Sequence, residues 1–160
     1  MKSVIKIFIF SMIVIYCSCK ASPPAEELIN GKASFPASLR FDKLGLKVIA
    51  TLIDNNFHTM STLYGNSLAL EAAKTGEYKI GNGELFALVT WNQQADENWY
   101  GANIPAELRS VELLHISASN GQGIFKYQSF RGRNLQPDRD TLHRNERIAY
   151  ILSQKAAILP

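Results

Sequence analysis

The chain has 160 residues, enough for one domain with a real core, and carries 17 lysines and arginines against 14 acids for a formal net charge of +3. Its only basic run is Phe130-Arg131-Gly132-Arg133, so a nucleic-acid partner has little electrostatic support and none is expected. Its only cysteines, Cys17 and Cys19, lie together near the N-terminus.

Lys2 and Lys6 precede Ile7–Tyr16, a run that is apolar except for Ser11. The run is shorter than the roughly 20 residues a membrane span needs and suits the apolar region of an export signal. A cysteine directly after such a region points to lipoprotein processing. Cys19, preceded by small Ser18, suits lipidation better than Cys17, preceded by bulky Tyr16. Residues 1–19 are therefore expected to be a signal with the lipid on Cys19. The alternative is an ordinary signal cut near Ala21 that releases a soluble secreted protein. Processing before Cys19 removes Lys2, Lys6 and Cys17. It leaves a nearly neutral chain with no intramolecular disulfide, so the fold depends on packing. The expected location is the periplasm or the outer membrane.

Residues 20–40, with Pro23, Pro24, Gly31 and Pro36, read as a tether, leaving 41–160 as the domain. Leu46–Ile53 is rich in Val, Ile and Leu and predicts a strand. Asp54-Asn55-Asn56 predicts a turn. From His58 to Tyr64 a weak alternation predicts a second strand, with His58, Met60, Thr62 and Tyr64 on one face. Asn66 is placed to cap a short helix with Leu68, Ala69, Ala72 and Ala73 as its apolar stripe, and Gly76 is placed to close it. Gly81-Asn82-Gly83 turns into Leu85–Trp91, a continuous apolar strand covered on both faces. Asn92–Tyr100 reads as a loop. Along Leu108–Ile116, Val111, Leu113 and His115 alternate against Glu112, Leu114 and Ile116. Ser119–Gly123 is a hairpin turn returning through Ile124–Phe130. Asp140 is placed to cap a last helix with Leu142, Ile148, Ala149, Ile151 and Leu152 inward. The expected class is α+β: a mostly antiparallel sheet with short helices packed on one face.

Three stretches carry a family resemblance. They are Leu63-Tyr64-Gly65-Asn66-Ser67 leading through Glu71 to Tyr78, the strand Leu85–Trp91, and Trp99-Tyr100-Gly101-Ala102 followed by Glu112–Ser117. In their order and spacing they resemble the cytochrome P-460 family. The resemblance implies an exported domain on an antiparallel β scaffold, often dimeric, whose best-known relatives oxidise hydroxylamine. Haem in that family is attached by Cys-x-x-Cys-His near the C-terminus and cross-linked to a lysine of the central strand. This chain has no cysteine after Arg131, and the matching lysine position falls at Phe86 or Leu88. Covalent haem is therefore not expected.

His115 is the leading candidate for chemistry, since neutral imidazole can ligate the iron of a non-covalent haem. The competing reading is a half-buried histidine bonded to a neighbour. His58 and Met60, two apart on a strand, point the same way and cannot bracket one iron. His143, beside Arg144 and Arg147, reads as solvated. Tyr64 and Trp91, with Trp99 and Tyr100, either stack on a flat ligand or anchor core and loops. Nucleophile motifs and phosphate loops are absent. Two functions follow. One is a lipid-tethered, haem-free envelope domain binding a small apolar or aromatic ligand or a partner protein. The other is a non-covalent haem protein, with His115 as axial ligand, that oxidises or senses hydroxylamine or nitric oxide.

Overall fold

The computed structural model describes residues 29–36, 39–76, 82–119, 122–139 and 142–157. The chain divides into two compact units, Met1–Asn30 and Gly31–Pro160, and the sheet and the two α-helices of the described residues belong to the second. The expected export signal and Cys19 lie outside the described residues. No helix among the described residues is long and apolar enough to cross a membrane.

Six strands form one sheet in sequence order with every neighbour antiparallel. They are β1 (Lys47–Asp54), β2 (Thr59–Gly65), β3 (Asn82–Ala95), β4 (Asn103–Ser119), β5 (Gln122–Arg131) and β6 (Gln136–Asp138). Helix α1 (Ser67–Thr75) joins β2 to β3, and α2 (Arg144–Ser153) follows β6. The molecule is thus mostly β with some helix, as the alternating apolar runs and short turns require.

The turn after β1 is held by Asp54, whose Oδ1 accepts from the backbone N–H groups of Asn56 at 2.9 Å and Phe57 at 3.1 Å. His58 closes that turn with φ 49°, in the left-handed region, so β2 starts one residue later than expected. His58 therefore does not share a strand face with Met60.

Asn66 caps α1 through Oδ1, which accepts from Ala69 N–H at 2.9 Å. The same oxygen takes the Leu85 N–H at 3.3 Å, and Nδ2 donates to the Gly83 carbonyl at 2.8 Å, so one side chain ties the helix start to β3. Gly76 closes the helix at φ 72°. Ala69, Ala72 and Ala73 are buried, whereas Leu68 is exposed. The helix sits close because Gly65 lacks a side chain: a Cβ there would lie 2.6 Å from Ile49 Cδ1 and 2.7 Å from Ala69 Cβ.

The expected loop at Asn92–Tyr100 is half strand. β3 runs on to Ala95, with Gln93, Gln94 and Ala95 opposite Pro105, Ile104 and Asn103. Pairing with β2 ends at Thr59↔Asn92, and beyond it polar side chains sit comfortably on a projecting hairpin. The β6 strand was not foreseen; its Pro137 is tolerated because β6 is an edge.

Each sheet face carries a core. One contains Leu63, Phe86, Leu88, Leu114 and Ile116 with Ala69 and Ala73 of α1 and Ile151 of α2. The other contains Val89, Trp91, Leu108 and Val111, against which Phe35, Phe41, Tyr64 and Leu113 pack. Phe86, Ala87, Leu88 and Val89 are therefore all buried, which accounts for the unbroken apolar run of β3. Part of the expected tether, Ala33 and Phe35, packs on this second core.

The last helix begins at Arg144, with His143 at its N-cap position making no side-chain cap bond; Asp140 lies outside the described residues. Leu142 precedes the helix and is exposed, as is Ala149, which corrects the expected inward set. At about 100° per residue, the stripe that faces the core is Ile148, Ile151 and Leu152. After α2 the chain is tied down by Ala156 N–H to the Ala73 carbonyl (3.1 Å) and Ala157 N–H to the Ile49 carbonyl (2.8 Å).

Candidate functional site

Strand register turns isolated polar residues into rows. Ser61 lies opposite Thr90, Thr90 opposite Ser110, and Ser110 opposite Arg131. One row over, Leu88 lies opposite Glu112, Glu112 opposite Ser129, and Ser129 opposite Asp138. These rows share a sheet face with Leu114 and Ile116, because side chains alternate along each strand. The apolar core thus gives way along the strands to a hydroxyl-rich floor. Ser61 and Thr90 bond each other across it at 2.9 Å. With α2 on its far side, the floor bounds an open cleft of about 750 Å³. Tyr127, Arg131, Arg144, Arg147 and Tyr150 also line it.

Glu112 anchors the cleft. It is buried, at 5% exposure, between Leu114 and Ser110 on its strand, where the apolar core meets the hydroxyl floor. Arg147 of α2 donates Nε to Oε2 at 2.9 Å and Nη2 to Oε1 at 2.7 Å. The Tyr127 hydroxyl donates to Oε2 at 2.6 Å. Three donors so converge on one carboxylate, which is how a buried anion becomes tolerable. Burial, and then the bond to Glu112, push the Tyr127 phenol well above its ordinary pKa, so it stays a donor. The bond to Glu112 likewise raises the Arg147 guanidinium. That guanidinium lies 4.9 Å from the centre of the Tyr150 ring, a stacking contact that fixes both.

Two further side-chain pairs border the cleft. Arg131 Nε meets Asp138 Oδ2 at 2.6 Å, and His143 Nδ1 meets Glu146 Oε2 at 3.0 Å. No group of three or more His, Cys, Asp or Glu side chains is arranged to hold a metal ion among the described residues. Ser61 and Thr90 of the floor bond each other, and no floor hydroxyl is bonded to an imidazole among the described residues. The arrangement offers fixed donors and acceptors to a polar molecule.

The residues singled out from sequence lie elsewhere, with one exception. His115 is exposed on the opposite face, in register with Leu85 and Lys126, and does not line the cleft. Tyr64 and Trp91 do come together on that opposite face, as parts of the second core. Tyr64 meets Phe41 edge-on at 4.9 Å, and burial raises its phenol. Trp91 donates Nε1–H to the Ala33 carbonyl at 2.9 Å, and its ring lies 6.0 Å from Phe35, which stacks on Phe41. These aromatics hold the segment before β1 against the sheet. Trp99 and Tyr100 are exposed at the β3–β4 hairpin tip. The exception is His143, which lines the cleft.

Glu112, Tyr127, Arg147 and the hydroxyl row were not picked out from the sequence. Two signals were available: Glu112 shares parity with Leu114 and Ile116, and Arg147 falls on the stripe of Ile148 and Ile151. A charge on each of two inward faces is the mark of a buried pair.

No protein-family model matches the chain, and no curated protein matches it.

Proposed function

We propose that the chain is an exported ligand-binding domain, cytochrome P-460-like in scaffold and tethered to the envelope membrane by lipid on Cys19. It holds a small polar ligand in the cleft between the sheet and α2. In this proposal both helices cover the sheet face of Leu63, Phe86 and Leu114, and α2 is one wall of the site.

The carrying observation is the Glu112–Arg147–Tyr127 network at an open cleft of about 750 Å³. A buried ion pair is often no more stabilising than apolar packing of the same volume. A charged network held rigid beside unfilled space is better suited to recognition than to stability, and the cleft falls in the size range of small-molecule sites. The lining favours a polar ligand over the apolar or aromatic one expected from the sequence.

The test is a fragment titration of the ¹⁵N-labelled full chain, read as amide shifts. The proposal expects shifts clustered at Ser61, Thr90, Ser110 and Glu112. Shifts clustered at Tyr64 and His115 would contradict it.

One observation favours a second function, in which the cleft takes a non-covalent haem: His143 lines it with Nδ1 engaged by Glu146. A carboxylate on one ring nitrogen is the usual way of orienting the other toward a metal. His115, exposed and outside the cleft, does not fit that role. A bound haem would supply an iron centre for small nitrogen compounds. Titrating the full chain with haemin separates the cases. Loss of a saturable complex in His143→Ala, but not in His115→Ala, would support it. No saturable complex in the parent would end it.

A further inference from the structure

Arg109 is in the cleft because of a fault in the sheet. Thr90 pairs with Ser110, but the next residue of β3, Trp91, pairs with Leu108, leaving Arg109 as an extra residue on β4. By alternation Arg109 belongs with Val111 on the face of the second core. The bulge turns it, and Arg109 instead lines the cleft beside Ser110 and Glu112. Its backbone is fixed there by the Gly132 N–H, which donates to the Arg109 carbonyl at 2.8 Å.

Its charge is left over. Arg131 and Arg147 are neutralised by Asp138 and Glu112. Arg144 donates to the Phe125 carbonyl. Arg109 is exposed and makes no ion pair or side-chain hydrogen bond among the described residues. A bulge is specific backbone architecture, and this one delivers an unneutralised guanidinium to the end of a hydroxyl row.

We propose that Arg109 is the anchor for an oxyanion, a carboxylate or a phosphate, on the ligand of the cleft; this rests on the proposal that the cleft is the binding site. A guanidinium binds either anion through two parallel N–H groups, while the hydroxyls of Ser61, Thr90 and Ser110 take neutral parts of the molecule.

The experiment titrates the full chain with benzoate, phenyl phosphate and benzamide, a neutral match for benzoate, and follows amide shifts in the parent, Arg109→Gln and Arg109→Lys. The expected result is an anion preference of at least about tenfold over benzamide in the parent, as a charge-assisted bond gives. It is abolished in Arg109→Gln and partly kept in Arg109→Lys. Benzoate against phenyl phosphate then tells which anion the site prefers. Because Arg109 has no side-chain partner among the described residues, Arg109→Gln is expected to fold like the parent. Equal binding of benzoate and benzamide in the cleft would overturn the anchor and leave the cleft as the site. An anion preference unchanged in Arg109→Gln would overturn it too. Binding of none of the three probes would overturn the anchor and count against the cleft.

Discussion

Glu112 of β4 and Arg147 of α2 face each other through two hydrogen bonds, 2.9 and 2.7 Å long, across 35 positions of sequence. The two ends of this pair are unequal. The Glu112 side chain is 6% exposed and that of Arg147 is 38% exposed. Removing the arginine strands a carboxylate away from water, whereas removing the acid leaves a guanidinium that can hydrate. Arg147→Met is therefore expected to cost about 3 kcal/mol and Glu112→Gln about 1 kcal/mol, read from urea unfolding. Equal losses would show that the pair is hydrated in solution.

The cap at Asn66 reaches beyond its helix. Its oxygen serves the N–H groups of both Ala69 and Leu85, and its amide serves Gly83. Asn66→Ala is expected to lower stability by about 2 kcal/mol, more than a helix cap alone. Asn66→Asp keeps the acceptor and loses the donor, and should fall between. An alanine variant within about 0.5 kcal/mol of the parent would mean that solvent replaces these bonds.

Tyr127 gives a pH signature. Its phenol is raised above the ordinary 10.0, first by burial and then by its bond to Glu112. Below that pH both folded and unfolded chains keep the proton, and the contribution of Tyr127 to stability is intact. As pH rises above it, the unfolded chain ionises while the folded one resists, so stability falls with pH. The slope stays below the limit of about 1.4 kcal/mol per pH unit for one group, because Tyr127 is only half-buried and solvent screens it. Tyr127→Phe should flatten this alkaline fall relative to the parent. Tyr64, also raised by burial, contributes in parallel and does so in both proteins. An unchanged slope in Tyr127→Phe would contradict the bond to Glu112.

What the sequence made legible was local. Asp54 as a turn former, Asn66 as a cap, Gly76 as a helix stop and the alternation of Val111, Leu113 and His115 against Glu112, Leu114 and Ile116 all depend on near neighbours, and each stands in the structure. His58 belongs to the turn rather than to the strand because it takes the left-handed conformation, which histidine adopts more often than most side chains but which its place beside an alternating run does not announce. The site was harder to see. A hydroxyl row exists only once register sets Ser61, Thr90 and Ser110 side by side. No spacing in the chain announces that register. Arg109 depends on a bulge, which reverses what alternation predicts. Tyr64 and Trp91 were legible as a pair of large aromatics. What they hold, the segment of Ala33, Phe35 and Phe41, became visible only with the sheet formed.

If the cleft beneath α2 is where this chain binds its ligand, filling it must abolish binding. Ser110→Trp places an indole on the hydroxyl floor, and Lys126→Trp places one on the opposite, exposed face beside His115. With both variants shown to unfold as cooperatively as the parent, titration with benzoate should give no binding to Ser110→Trp and parent-like binding to Lys126→Trp. Parent-like binding to Ser110→Trp, or loss confined to Lys126→Trp, would place the site on the other face of the sheet.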